Sequence, residues 1–258
     1  MKFKEQELKN FAQPLSDTEI EKCKNAIRMV RDAMKETGFI DDSSDIKNFI
    51  EDTFTFGTTL RNKNNNREVK LFLQGSFANN TNVRNESDVD IAIILESTFR
   101  PKYRNGITGA SYGYCTSSDS LKAFKDDVQL ALEYKFGDDV ERKNKSIKIN
   151  GNTYRVNTDT VPSMRYKDYS NDYRNDKDNC IKGIVICPDS GGEIINYPEL
   201  HIQNGKAKNN STNHMFKKMV RIMKKMRYIM KDYKYESANK VSSFGLESLL
   251  WNIPDSVY

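Results

Sequence analysis

The chain has 258 residues, of which 37% are apolar and 30% charged, and a formal net charge of +5. That length suits one large domain or two small lobes around a cleft. The apolar runs reach only about five residues, far short of the ~20 needed to span a membrane. The opening MKFKEQELKNF carries no apolar signal-peptide segment, so the cytoplasm is the expected compartment. Cys23, Cys115, Cys180 and Cys187 share no metal-ligand spacing, and the only histidines are His201 and His214. This argues against a structural zinc site and predicts reduced, mostly buried thiols.

In chain order, residues 14–38 read as a helix. Ser16 and Glu19 form a capping-box pair, Ile20, Cys23, Ile27, Val30 and Met34 recur at helical spacing, and Gly38 is a natural stop. The segment 45–61 reads as a second, less regular helix followed by a turn. A polar loop, RNKNNNRE, precedes two strands, VKLFLQG (69–75) and VDIAIIL (89–95), joined by a loop or short helix that begins at Gly75-Ser76. Residues 97–118, rich in Gly, Ser, Thr and Tyr, read as an insertion or flexible loop. Residues 120–137 form a helix with Leu121, Phe124, Val128 and Leu132 on one side.

Strand-like KSIKI and TYRVNTDTVP follow, then a hairpin over 183–198 turning at Ser190-Gly191-Gly192. NGKAKNNSTN reads as a long polar loop. Residues 213–234 read as a strong helix with Phe216, Val220, Met223 and Met230 on its apolar face, and SSFGLESLLWNIP starts a last helix near Ser242 or Ser243. The stretch 216–234 has eight basic side chains against one acidic one, which points to a phosphate-rich partner. Within it Lys217, Lys218 and Lys231 read as solvated, and Lys224 as phosphate-binding. The order of elements predicts an α+β fold with a mixed sheet core and two lobes, divided near 200–212.

One stretch carries chemistry. Asp88 and Asp90 flank a single valine at the start of an apolar strand, and alternate strand residues share a face. Two carboxylates projecting together suit Mg²⁺, which takes hard oxygen ligands. A pair of such ions ~4 Å apart can bind the attacking and leaving oxygens of a phosphoryl transfer. Asp159, in a neighbouring strand-like segment, is the candidate third carboxylate. Gly75-Ser76, a dozen residues upstream, supplies the other half: glycine allows close backbone approach, and the serine hydroxyl can donate to a phosphate oxygen. Singly, a D-x-D pair is a strand end and a G-S pair a turn; the combination at this spacing is far more specific.

These residues give the pattern G-S-F-x(10)-D-V-D-I followed by D-x-V-P, which resembles the nucleotidyltransferases of the DNA polymerase beta superfamily. More closely, the chain is similar to the bacterial relatives of cyclic GMP-AMP synthase, the cyclic-oligonucleotide synthases of anti-phage signalling. FGDDVERKNKSIKI (136–149), TDTVPS (158–163), residues 195–224 and SSFGLESLLWN (242–252) extend the resemblance over about residues 14–254. The resemblance implies that Asp88, Asp90 and Asp159 hold two Mg²⁺ ions, with Mn²⁺ as a substitute, and that Asp159 helps deprotonate the attacking ribose hydroxyl. It also implies that Gly75, Ser76, Lys224 and Ser243 contact the nucleotide triphosphate. Tyr166 and Tyr197 suit either base stacking or packing.

The expected organisation is a nucleotidyltransferase core over 1–205 and a helical lobe over 206–258. That lobe is short relative to the family pattern, because the chain ends at Tyr258, four residues after Pro254. The expected substrates are nucleoside triphosphates, joined with release of pyrophosphate into a second messenger that a separate effector reads. No zinc-ribbon-like insertion is visible, so no stable duplex DNA partner is expected. The alternative is a nucleotidyltransferase that modifies RNA, a protein or a small molecule. A non-catalytic binding module is the weakest reading, because all three aspartates are present.

Overall fold

The computed structural model describes residues 2–41, 45–84 and 88–258. Ser16 caps helix α2 (Asp17–Lys35), and its reciprocal pairing with Glu19 is present. A short helix α1 (Glu5–Phe11), not foreseen from the sequence, precedes it. Cys23, Ile27, Val30 and Met34 of α2 are buried against the sheet, as the helical spacing predicts.

The sheet carries ten strands among the described residues: β1 (Ile40–Asp41), β2 (Lys47–Asn48), β3 (Phe56–Asn62), β4 (Arg67–Gln74), β5 (Val89–Lys102), β6 (Val140–Arg142), β7 (Ile147–Ile149), β8 (Thr158–Asp168), β9 (Ile181–Ile186) and β10 (Ile194–Asn196). The central order is β1-β3-β4-β5-β8-β7-β6; β2 adds to β3, and β9 to β8 with β10 outside it. Only β5 and β8 run parallel, linked through helix α4 (Leu121–Phe136); the other pairs are antiparallel, so the sheet is mixed.

Alternation along the strands separates two layers. Leu71, Leu73, Ile91 and Ile93 face α2 and α4 in the main core. Phe72, Ala92, Ile94 and Val161 face the other way and pack with Ile202 of helix α5 (Pro198–Ser211). A third small core, Phe216, Val220 and Leu250, joins α6 (Phe216–Asp232) to α7 (Ser243–Trp251). No helix among the described residues is long and apolar enough to cross a membrane.

Several expectations are corrected. Residues 45–61 are not a helix. Asn48 Nδ2 donates to the Thr53 carbonyl (2.6 Å), Thr55 Oγ1 to Asn48 Oδ1 (2.6 Å), and Asp52 takes a positive φ of 58°. These side-chain bonds offer the backbone an alternative to helix, and β3 then pairs with β4. The polar stretch from 204 is not a loop but the second half of α5. Pro198 sits in its first turn, and Glu199 anchors it by bonds to Lys70 Nζ (2.7 Å) and Arg165 Nη1 (2.8 Å). Tertiary anchoring of this kind outweighs weak amphipathicity.

Residues 97–118 are partly strand, since β5 continues to Lys102, and Tyr112 is buried with its hydroxyl on Asp172 Oδ2 (2.7 Å). Among the thiols, all free, only Cys23 is buried; Cys180 and Cys187 are half-buried and Cys115 is exposed. Lys217 is not solvated but 8% exposed, because it lies on the inward face of α6 with Phe216 and Val220.

Candidate active site

The site begins where β4 ends. Gln74 pairs with Asp90 across the antiparallel β4–β5 ladder, and Asp90 pairs with Asp159 across the parallel β5–β8 ladder. The register therefore sets the two carboxylates on adjacent strands, whose spacing is about 4.8 Å. Asp88, exposed, immediately precedes β5; residues 85–87 before it lie outside the described residues.

At Gly75 the chain leaves β4 with φ +65° and enters the single-turn helix α3 (Gly75–Ala78). A Cβ there would lie 2.5 Å from Asp90 Oδ2. Glycine is thus needed twice over, for the left-handed backbone and for the contact with the carboxylate. The Thr81 N–H donates to the Ser76 carbonyl (2.8 Å) and closes the turn.

A cavity of about 910 Å³ opens over these groups. Its wall brings together Gly75, Ser76, Asp90, Asp159, Lys224 and Ser243, which are six of the seven residues singled out from the sequence; Asp88 lies outside its lining. Electrostatics still tie Asp88 to the site. Burial, then the charges of Asp159 and Asp88, push the Asp90 carboxyl up to about 7, against the opposing charge of Lys224. Burial and the Asp88 charge also raise Asp159, opposed by a hydrogen bond from Ser146 Oγ (3.4 Å) and by Lys148 and Lys143.

These carboxylates repel one another in a partly desolvated place. Among the described residues no three His, Cys, Asp or Glu side chains already form a cation cage. The donor set nevertheless fits a hard divalent ion. All the donors are carboxylate oxygens, and their mutual repulsion is what a bound cation relieves.

The helical elements close the other side. Ser242 caps α7 by accepting from the Gly245 N–H (2.9 Å), which leaves Ser243 to face the cavity, where its Oγ accepts from Arg227 Nη1 (3.2 Å). Lys224 is 3% exposed, and its Nζ donates to Glu247 Oε2 (2.8 Å) and Thr81 Oγ1 (3.2 Å). Phe244 and Trp251 offer aromatic surface to the cavity. Tyr197 also lines it, whereas Tyr166 is buried edge-on against Tyr197 with ring centroids 6.1 Å apart, so its part is packing.

His201, Asn79, Thr81 and Glu247, to which the sequence alone assigns no role, form a polar cluster at this wall. The one available signal was in S-F-G-L-E: Glu247 follows Ser243 by four residues, and so shares its helix face.

A carboxylate pair in register on adjacent strands, a glycine turn beside it and a basic helix across a cleft define a nucleotidyltransferase. Residues 58–168 match the model of the nucleotidyltransferase domain, and residues 203–258 that of the cGAS/DncV-like nucleotidyltransferase C-terminal helical domain. Cyclic GMP-AMP synthase CdnE03 of Staphylococcus schleiferi is 49% identical over 259 residues, covering 100% of this chain and 80% of that protein. The chain belongs to the cGAS/DncV-like nucleotidyltransferase family.

Two solved structures are similar as well. The Rhodothermus marinus CdnE c-UMP-AMP synthase with Apcpp and Upnpp superposes with a TM-score of 0.76 at 27% identity, over 100% of this chain and 77% of that one. The Elizabethkingia meningoseptica CdnE cyclic dinucleotide synthase with GTP and Apcpp gives 0.71 at 33% identity, over 99% and 77%.

Proposed function

We propose that this protein joins nucleoside triphosphates into a cyclic oligonucleotide. The ribose hydroxyl of one nucleotide attacks the α-phosphorus of another. A new P–O bond forms, the bond to the β-phosphate oxygen breaks, and pyrophosphate leaves; a later transfer closes the ring. The observation that carries this reading is the register of Asp90 with Asp159 beside the Gly75 turn, inside one large cavity. Its likeness to proteins named as cyclic nucleotide synthases, two of them solved with nucleotides or their analogues, supports it.

Asp88, Asp90 and Asp159 would hold two Mg²⁺ ions, or Mn²⁺ in their place. When bound, those ions supply Lewis-acid stabilisation of the transferring phosphoryl group. Asp159, on the side of the site nearer β7, accepts the proton of the attacking hydroxyl. Gly75 and Ser76 receive the triphosphate from one wall, Lys224 and Ser243 from the other. Phe244 and Trp251 supply faces on which bases stack. The working units are a core over residues 1–205 and a helical lobe from 206, which share α5. The product would act as a second messenger in anti-phage defence, made in the cytoplasm and read by a separate effector; the family resemblance is the support for that context.

The test is incubation of the purified chain with ATP, GTP, CTP and UTP and Mg²⁺ or Mn²⁺, with products resolved by mass. A phosphatase-resistant cyclic product formed without any polymer supports the reading. Label transfer only to added RNA or protein would favour the alternative, a nucleotidyltransferase that modifies those acceptors.

A further inference from the structure

One buried carboxylate joins every wall of the cavity that carries a candidate phosphate contact. Glu247 of α7 is 4% exposed. Its Oε1 accepts from His201 Nε2 on α5 (3.0 Å) and from Asn79 Nδ2, just after α3 (3.2 Å). Its Oε2 accepts from Lys224 Nζ on α6 (2.8 Å) and from Thr81 Oγ1 (3.1 Å). Two oxygens thus take four donors from three separate segments: the turn after α3, α5 and α6.

Burial pushes the Glu247 carboxyl up, but the His201 hydrogen bond and the Lys224 charge outweigh it and hold the group down to about 2. It is therefore an anion in a place where an unpaired anion would be costly. Helix α5 comes close enough to share it because Gly205 has no side chain: a Cβ there would lie 2.7 Å from Asn79 Oδ1.

The consequence is clearest at Lys224. An ammonium has three donors. Glu247 and Thr81 take two and fix the direction of the head group, leaving the third for the cavity that Lys224 lines together with Asp90. A lysine that met phosphate unaided would have to order a long, flexible side chain on binding, an entropic cost already met here in the folded protein. The same carboxylate ties the turn after Ser76 to the helix that carries Ser243.

We infer that Glu247 is a positioning residue for nucleotidyl transfer, aiming Lys224 at the triphosphate and fixing the phosphate turn against the helical lobe. The inference rests on the reading of Lys224 as a phosphate-binding residue.

A double-mutant cycle tests it on the full chain. The dissociation constant of inorganic tripolyphosphate with Mg²⁺ is measured calorimetrically for the wild type, Lys224→Met, Glu247→Gln and the double variant, with a melting temperature for each. The probe has no base, so base preference does not enter. Lys224→Met is expected to weaken binding roughly tenfold. Glu247→Gln alone should weaken it by a similar factor, and by less than about twofold when Lys224 is already methionine.

Equal factors in both backgrounds, or a lowered melting temperature with unchanged affinity, would overturn the inference. If Lys224→Met binds like wild type, the reading of Lys224 itself fails, and this inference with it. Should Glu247→Gln not fold, Thr81→Val replaces it in the cycle. It removes the hydroxyl that Glu247 and Lys224 share, and the same coupling is expected.

Discussion

Asp90 of β5 and Asp159 of β8 are register partners across the only parallel strand pair among the described residues of the sheet. Two carboxylates 69 positions apart in sequence are thereby held side by side by backbone hydrogen bonds. Burial and the charges of neighbouring aspartates raise both carboxyls above their ordinary range.

Asp90→Asn should abolish product formation while making the metal-free protein more stable. Ionising Asp90 is penalised by burial and by Asp159 and Asp88. A carboxyl raised above its unfolded value costs stability once pH exceeds that unfolded value, and the cost is complete above about pH 7. Allowing for its partial exposure, the gain is about 2 kcal/mol, or a rise of roughly 4–8 °C in Tm at pH 8 in EDTA. Scanning calorimetry reads this directly. A less stable variant, or one with near-normal turnover, contradicts the assignment.

Gly75→Ala and Gly191→Ala separate backbone strain from a clash at the site. Both glycines have positive φ, +65° and +93°, but a Cβ at Gly191 meets nothing within 4 Å. Both variants should lose about 1 kcal/mol to strain. Only Gly75→Ala drives a methyl group into Asp90, so only it should cut the initial rate, by at least about tenfold on the scale of a misplaced catalytic group. Urea titration and rate measurements on the two proteins give the comparison, and equal activities would remove the structural reason for glycine here.

Acid should act through Glu247. Its folded value is depressed to about 2 from an ordinary 4.5. A depressed carboxylate contributes stability that is fully present above the unfolded value and is lost as pH falls through the folded one. The window is therefore about pH 4.5 down to about 2, and the contribution roughly 3 kcal/mol. Glu247→Gln should show a shallower fall in unfolding free energy across that window. Parallel curves for wild type and variant would mean that the carboxylate is not held as an anion by His201 and Lys224.

Duplex DNA should leave the rate unchanged. The net charge is only +5, and three of the basic residues on α6 are turned inward: Lys217, Arg221 and Lys224 are 8%, 4% and 3% exposed. Arg221 is occupied with the Ala12 and Asn80 carbonyls. A phosphate backbone needs an accessible stripe of such groups. Initial rates with and without long duplex DNA at physiological salt decide the matter; stimulation of about tenfold, a coupling of ~1.4 kcal/mol, would contradict it.

What the sequence determined by itself was local. The Ser16–Glu19 box, the period of α2 and α4, the alternation of side chains along β4 and β5, and the G-S and D-x-D pairs that mark the site are patterns of residues a few positions apart, visible in one dimension. The tertiary structure decided the rest. Residues 45–61 became turn and strand because β4 offered a partner for β3 and Asn48 diverted the backbone. The polar second half of α5 became helix because tertiary bonds hold it: Lys206 Nζ donates to the Glu51 carbonyl, and Lys208 Nζ to the Ile253 carbonyl and Asp255, while Glu199 pins the first turn to Lys70 and Arg165. The cluster on Glu247 gathers Asn79, Thr81, His201 and Lys224 from as far as 168 positions apart. No periodicity encodes such a meeting. It exists only because the sheet, α5 and the helical lobe close on one another, and a buried carboxylate has to find its donors wherever the fold brings them.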